Sequence, residues 1–337
     1  MVRFGVLGAG NIAHRFCASL AHEDGAELVA VSCRTEQKAR AFLAEVGHVE
    51  GARAYGSHED LLADAEVDAI YLALPHDLHR DWSLAALRAG KAVLCEKPAM
   101  LSAEEMCEVA DVARDAGVLF MEAMKPRFVP LYKQVLEAVK QIGPLVRVET
   151  TLCNDMLAAV EGSGSYHMTP GPGAGVLLDC GIYCASWLQA FGEGTPRLKS
   201  IASAERDGID VYADALLDFG GMPGRLECAF DRAKKRTATL VGTDGRIVVD
   251  ELHRPQRAVV ELAGQEPVVL NVPYEVDDFY GEIHHFVELV ETGATESTLM
   301  PLDASIGCAE ILDVIRAGFQ VVPAAPEVLR EQERVLR

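Results

Sequence analysis

The chain has 337 residues, half of them hydrophobic, nine cysteines and a formal net charge of −20. That length suits two domains with ample cores, the charge argues against nucleic acid or an anionic membrane as partner, and no run of about 18 apolar residues occurs, which excludes a membrane-spanning helix. An odd number of cysteines without CxxC pairs, with Cys17, Cys95, Cys107, Cys228 and Cys308 inside apolar segments, predicts reduced, buried thiols, with neither a disulfide framework nor a metal site.

Residues 2–7 read as a buried strand that runs straight into Gly8-Ala9-Gly10-Asn11-Ile12-Ala13, with a helix expected over 14–21. This is the G-x-G-x-x-G/A dinucleotide fingerprint in its required strand-to-helix setting. Gly8 permits the tight turn, Gly10 lets a pyrophosphate approach the backbone, Ala13 allows close packing, and the amino terminus of the helix that follows faces the phosphates, with Asn11 and Ile12 of the turn among the cofactor contacts. The apolar run at Phe4 begins almost at Met1 without the charged start and small-residue cleavage site of a secretory signal, so a cytoplasmic protein is expected.

A second strand, 27–32, ends in Cys33-Arg34-Thr35, where an NAD site would place an acid for the ribose hydroxyls. No acid occupies 32–34, and Arg34 and Lys38 suit a 2′-phosphate. NADP is therefore the expected cofactor and NAD the alternative, since both cations are also ordinary helix-start residues. Ser57 is an N-cap for a short helix, and the next buried strand, 67–74, delivers Leu74, Pro75, His76 and His79 to the crevice where ligands gather in such sheets. Residues 92–96 form another buried strand, and Glu96, Lys97 and Pro98 stand at its carboxyl end, on the chemistry side. Lys97 is the first candidate for a catalytic residue; a solvated Glu96/Lys97 pair is the plain alternative. A helix over 103–116 and a strand over 117–123 complete a doubly wound parallel sheet.

The rhythm then breaks at residues 124–130. A helix over 131–141 is followed by strand candidates at 146–153, 199–206, 213–219, 224–230, 237–241, 246–250 and 268–272, with Gly242-Thr243-Asp244-Gly245 as a hairpin turn. The expected architecture is α/β plus α+β: a Rossmann domain over 1–123, with a helix at 302–318 packing back on it, and a substrate and dimerisation domain over 124–301 built on a large, open, mostly antiparallel sheet. A homodimer or homotetramer through that sheet is the expected assembly. Within it, the glycine-rich entry at 171–175 leads to an apolar helix whose strongly polar members, Asp179 and Tyr183, stand four apart and share a face. That arrangement reads equally as a pocket wall or as a capped tyrosine in a core. His284 and His285, adjacent on a helix over 279–291, point to different faces and do not suit a paired metal site. Residues 327–337 read as a charged, frayed tail.

The fingerprint at Gly8, the segment Pro75 to His79, Glu96-Lys97-Pro98, Asp179-Cys180-Gly181-Ile182-Tyr183 and Glu282-Ile283-His284-His285-Phe286 occur in an order that resembles the glucose-fructose oxidoreductase/inositol dehydrogenase (Gfo/Idh/MocA) family over nearly the whole chain. With Glu122-Ala123-Met124 and Arg127-Phe128, the likeness is greatest to its dimeric dihydrodiol dehydrogenase branch, which oxidises trans-dihydrodiols or sugars with NADP. The resemblance implies Lys97, Asp179 and Tyr183 as a catalytic constellation, a cis Lys97-Pro98 peptide, and Glu96 and Lys97 among the cofactor contacts. The chain departs from that branch at Lys125-Pro126, where relatives carry Trp-Thr. The implied reaction is hydride transfer between nicotinamide C4 and a secondary alcohol of a sugar, cyclic polyol or diol. Either Tyr183 or Lys97 handles the proton, and a metal is not required. A nicotinamide-sensing regulatory protein on the same fold is the rival reading.

Overall fold

A computed structural model describes residues 1–47, 51–160 and 168–319, and the tail expected from 327 lies outside them. The chain forms two compact units. One comprises Met1–Met100, Glu104–Phe128 and Tyr274–Ser305; the other comprises Leu101–Ala103, Val129–Pro273 and the chain from Ile306.

The first unit is a six-stranded parallel sheet of β1 (Val2–Leu7), β2 (Ala26–Ser32), β3 (Arg53–Tyr55), β4 (Ala69–Leu72), β5 (Ala92–Glu96) and β6 (Phe120–Ala123), in the order β3-β2-β1-β4-β5-β6. Every residue of β4, β5 and β6 is buried, as strands covered on both faces require. The connecting helices are α1 (Asn11–Leu20), α2 (Glu36–Glu45), α3 (His58–Leu62), α4 (His79–Arg88) and α5 (Ala103–Ala116). Thr35 and Ser57 cap α2 and α3 by accepting the N–H groups of Lys38 and Asp60. The winding reverses on either side of β1, which pairs with both β2 and β4, so the crevice opens beyond Leu7.

The second unit is an eight-stranded sheet. After α6 (Pro130–Val139) come β7 (Leu145–Cys153), α7 (Leu157–Val160), α8 (Ile182–Phe191), β8 (Pro196–Arg206), β9 (Ile209–Phe219), β10 (Met222–Ala229), β11 (Thr237–Gly242), β12 (Gly245–Asp250), β13 (Arg257–Leu262) and β14 (Val268–Asn271). Their order is β14-β13-β12-β11-β7-β10-β9-β8, antiparallel except for the β7/β10 pair. Thr150, Leu152, Leu226 and Cys228 face α8. The opposite face carries Arg225 in a two-bond contact with Asp214 at 2.8 Å, Glu227 bound to Lys234, and Arg232 stacked 3.7 Å over the Tyr212 ring. β3 and β13 were not expected, because three half-buried residues and a strand begun by Arg257 carry little periodic signal.

Two helices follow, α9 (Tyr280–Thr292) and α10 (Leu302–Phe319). The Rossmann unit takes in the chain on both sides of Lys125 and the whole of α9, whose Phe286 meets Phe4 at 5.7 Å between ring centroids. The return expected of residues 302–318 to the first domain is corrected only in part: Leu302–Ser305 belong to the first unit, where Asp303 accepts from Arg114 at 2.6 Å, and the helix from Ile306 belongs to the second. Its Gly318 comes so close to Leu198 and Ile201 that a Cβ would lie 2.4 Å from the Leu198 side chain. A second correction concerns Cys107, which is exposed while Cys17, Cys95, Cys228 and Cys308 are buried. It sits off the α5 stripe of Met106, Val109, Ala110 and Ala113. Among the described residues no helix is long and apolar enough to cross a membrane.

Candidate active site

The first unit presents a phosphate cradle. Gly8 has φ +101°, a conformation that favours glycine, and a Cβ there would lie 2.4 Å from the Ala73 carbonyl oxygen. The Gly8 N–H donates to Ser32 O at 3.0 Å and the Ala73 N–H to Leu7 O at 2.9 Å, so the exit of β1 is pinned by both neighbouring strands. Helix α1 begins at Asn11, earlier than expected, and Gly10 caps it without any side-chain bond. A Cβ on Gly10 would meet no atom within 4 Å. The first-turn amides around Asn11 and Ile12 therefore face open space with no side chain to satisfy them, which is the arrangement that binds phosphate, and Ala13 is fully buried beneath them. Arg34 and Lys38 are exposed just past β2, and neither has a carboxylate partner among the described residues. Nearby Glu36 is taken by Arg40 at 2.9 Å. These residues fit a dinucleotide carrying an extra phosphate.

Lys97 follows the fully buried β5, and its peptide to Pro98 is cis. The turn is held from three sides. His79, buried, places Nδ1 3.0 Å from Pro98 O and Nε2 2.9 Å from Leu74 O. Glu122 Oε1 accepts the Ala99 N–H at 2.9 Å, and Glu96 Oε2 accepts the Lys97 N–H at 3.3 Å. Glu96 Oε1 is bound by the Tyr71 hydroxyl. Both ring nitrogens of His79 are engaged by backbone carbonyls, so it braces the Leu74 loop against the Lys97 turn; burial lowers its pKa against the pull of those carbonyls. His76 is buried beside it, 5.5 Å between ring centroids.

Asp179 and Tyr183 share one helix of the second unit. It opens as a wide π turn, Leu177–Gly181, which contains Asp179, and continues as α8 with Tyr183 in its first turn. Gly175, at φ +103°, turns the chain into it. Asp210, at the start of β9, accepts the Leu177 N–H at 2.7 Å through Oδ2, and a Cβ on Gly175 would lie 1.9 Å from its Oδ1. The helix entry is thus capped by a carboxylate from a strand 33 residues further along, and burial raises the pKa of that carboxyl. Trp187 anchors the next turn, donating to Leu252 O at 2.9 Å. The Tyr183 ring lies 5.9 Å from that of His253, and Asn154 binds Cys180 Sγ at 3.7 Å while accepting from Arg236 at 3.3 Å. A cavity of about 290 Å³ opens beside the capped turn, with Leu177, Leu178, Asp210 and Arg316 in its wall.

Asp210, His253 and Asn154 escaped the sequence reading. They lie on strand ends and turns, and nothing local marks them as neighbours of α8. Of the sequence candidates, Gly8, Gly10, Asn11, Ile12, Arg34, Lys38, Leu74, His76, His79, Glu96 and Lys97 stand in the first unit, and Asp179 and Tyr183 in the second.

Residues 2–124 match the oxidoreductase family with NAD-binding Rossmann fold, Gfo/Idh/MocA, and residues 132–248 match the C-terminal domain of the same family. The chain belongs to the Gfo/Idh/MocA oxidoreductases. Among its relatives are D-xylose 1-dehydrogenase (NADP(+)) 2 of Haloferax volcanii, 33% identical over 93% of this chain and 95% of that one. Mouse trans-1,2-dihydrobenzene-1,2-diol dehydrogenase is also 33% identical, over 95% and 97% of the two chains. Bacillus subtilis scyllo-inositol 2-dehydrogenase (NADP(+)) IolU is 28% identical over 97% and 100%. Among solved structures, the 3-ketoreductase KijD10 of Actinomadura kijaniata in complex with NADP and TDP-benzene superposes with a TM-score of 0.82 at 27% identity, covering 94% of this chain and 97% of that one.

In this Gfo/Idh/MocA chain, removing the cap from the helix of Asp179 and Tyr183 tests its role in alignment. Asp210→Ala is expected to cost about 1 kcal/mol of stability in urea titrations and to lower kcat with little change in cofactor affinity. Asp210→Asn, which keeps an acceptor for the Leu177 N–H, should restore most of both. Equal kcat in the two variants would dismiss the cap from catalysis.

Proposed function

We propose that the protein is an NADP-dependent dehydrogenase that oxidises a secondary alcohol of a sugar, cyclic polyol or trans-dihydrodiol, or reduces the matching ketone. The reading is carried by the cradle, where an uncapped helix start at Gly10 stands with Arg34 and Lys38 at the end of β2 and no acid takes the ribose position. Relatives named as xylose, inositol and dihydrodiol dehydrogenases support the substrate class, and two of those names carry NADP(+).

When bound, NADP supplies or accepts the hydride. The protein's share is orientation and the proton. Tyr183 is assigned the exchange of the substrate hydroxyl proton and Asp179 the orientation of that hydroxyl. Lys97 is the cation at the end of β5. A phenol or an amine with an ordinary pKa near 10 is a poor base at neutral pH, so Tyr183 in this role requires a neighbouring positive charge, because burial alone would push a phenol further up, whereas either effect would bring an amine down. Lys97 as the proton carrier is the alternative assignment. The face of the eight-stranded sheet opposite α8 is assigned to a second copy of the chain: Arg225, Arg232 and Lys234 stand partly exposed on it above the buried Asp214 and Glu227.

Three measurements test these assignments. With NADP and a panel of polyols, sugars and dihydrodiols, absorbance of the reduced cofactor is expected to rise for at least one substrate, and Tyr183→Phe should lower that turnover by about 100-fold with NADP affinity nearly intact. Cofactor binding without turnover of any alcohol or ketone would favour a sensor. Arg34→Ala should cut the preference for NADP over NAD by about 10-fold or more in binding titrations, as expected for loss of one charge-assisted phosphate contact; an unchanged ratio takes Arg34 out of cofactor choice. Light scattering should give a dimer or tetramer mass that Arg232→Glu reduces, whereas a monomeric wild-type protein would refute the sheet contact.

A further inference from the structure

Two segments that meet the helix of Asp179 and Tyr183 leave the large sheet at neighbouring strand ends, and one guanidinium joins them. β11 lies between β7 and β12, with Thr237 opposite Thr151 on one side and Asp250 on the other. Arg236, the residue before β11, therefore stands beside the exits of both neighbours. Its Nη1 donates to Asn154 Oδ1, just past β7, at 3.3 Å. Its Nε donates to Glu251 Oε1, just past β12, at 3.0 Å, with Nη2 2.8 Å from the other oxygen of Glu251. The Arg236 carbonyl also accepts the Leu252 N–H at 3.1 Å. A two-point contact between a planar guanidinium and a carboxylate fixes direction as well as distance, which a lysine in the same place cannot do.

Asn154 is the fixed end of this arrangement. Its backbone N–H donates to Ala229 O at 2.8 Å, and its side chain reaches Cys180 Sγ at 3.7 Å. The other end is a tight turn, in which the Arg254 N–H donates to Glu251 O at 2.7 Å. Leu252, fully buried, gives its carbonyl to Trp187, and the His253 ring stands 5.9 Å from that of Tyr183, tilted by 59°. Glu251 has φ +52°, where glycine is the usual residue. The side chain kept at that unfavourable position is the one Arg236 holds. Arg236 and Glu251 are 32% and 38% exposed, where an ion pair adds little to stability, so the contact matters as a constraint on the turn more than as an energy.

We propose that Arg236 is a positioning residue for Tyr183: braced on Asn154, it holds the Glu251 turn and so sets the place of the His253 ring beside the phenol. The proposal rests on the reading of Tyr183 as the group that exchanges the substrate proton, yet the place of His253 is measurable with no substrate present. Without the guanidinium the turn relaxes and carries His253 away from Tyr183, while the helix keeps its own ties through Asp210 and Leu177.

The test compares full-length wild type, Arg236→Met, Arg236→Lys and Glu251→Gly, with Arg236→Met also made in a His253→Gln background. Histidine labelled with carbon-13 at Cε1 gives a resonance for His253, identified as the one missing from His253→Gln. That resonance should move in Arg236→Met, in Arg236→Lys, and in Glu251→Gly, which suits the backbone of the turn but removes its anchor. On a substrate found in the polyol, sugar and diol panel, kcat/KM should fall about 10-fold in Arg236→Met with NADP affinity unchanged. In the His253→Gln background the same substitution should cost less than about 2-fold, because its route to Tyr183 is already gone. A wild-type His253 resonance or a wild-type kcat/KM in folded Arg236→Met overturns the proposal. So does a loss carried in full into the His253→Gln background, and so does wild-type behaviour of Arg236→Lys, which would make charge alone the cause. A moved resonance in a protein that turns over no alcohol or ketone removes the dehydrogenase reading and leaves the placement of His253 by Arg236 standing. Should Arg236→Met fail to fold, Glu251→Gly decides by the same resonance, and an unmoved one overturns the proposal.

Discussion

A carboxylate removed from water needs a cation, a proton or several hydrogen-bond donors, and the first unit is arranged around that need. Glu96, Glu122, Asp278 and Glu282 are all buried there. Glu96 is answered by Tyr71 and a backbone amide, Glu122 by the Ala99 amide and Asp278 by Lys125 and Arg15, while Glu282 Oε2 has no hydrogen-bond partner among the described residues and burial pushes the pKa of that carboxyl up. Two of the four bond directly to the backbone around the Lys97-Pro98 turn. The turn is consequently held by buried carboxyl groups, and with His79 bracing it from the Leu74 side, little freedom remains at the base of Lys97.

The second unit solves a related problem with a different device. A helix entry with no capping side chain of its own, passing through Gly175 and a π turn, leaves amides to be satisfied. Asp210 satisfies one of them from β9, a strand of the sheet on which the helix rests. The helix that carries Asp179 and Tyr183 is thereby tied to the most extensively paired part of the sheet, and Trp187 ties its next turn to Leu252. Side chains on such a support are held more narrowly than loop residues would be.

The cradle at Gly8 shows why a chain of net charge −20 is suited to an anionic cofactor. The amides of α1 point into open space within one turn of Gly10, and the basic groups of Arg34 and Lys38 are free of carboxylate partners among the described residues. Local dipoles and two cations decide the potential at a phosphate, because global charge is screened over about 8 Å at physiological ionic strength.

Local pattern alone determined the parallel Rossmann sheet, the fingerprint from Gly8 to Ala13 and the position of Lys97 at a strand end, since buried parallel strands, glycine turns and helix caps are all written in adjacent residues. The large sheet was legible as well apart from β13, as was the parallel sheet apart from its three-residue edge strand β3. Only the tertiary structure decided that α9 joins the Rossmann unit while α10 from Ile306 joins the other, that Asp210 caps the helix of Tyr183, and that Lys125 lies buried against Asp278. Each of these joins residues far apart in the chain. Capping acceptors and counter-ions are chosen by distance in space, for which a sequence without its fold holds no measure.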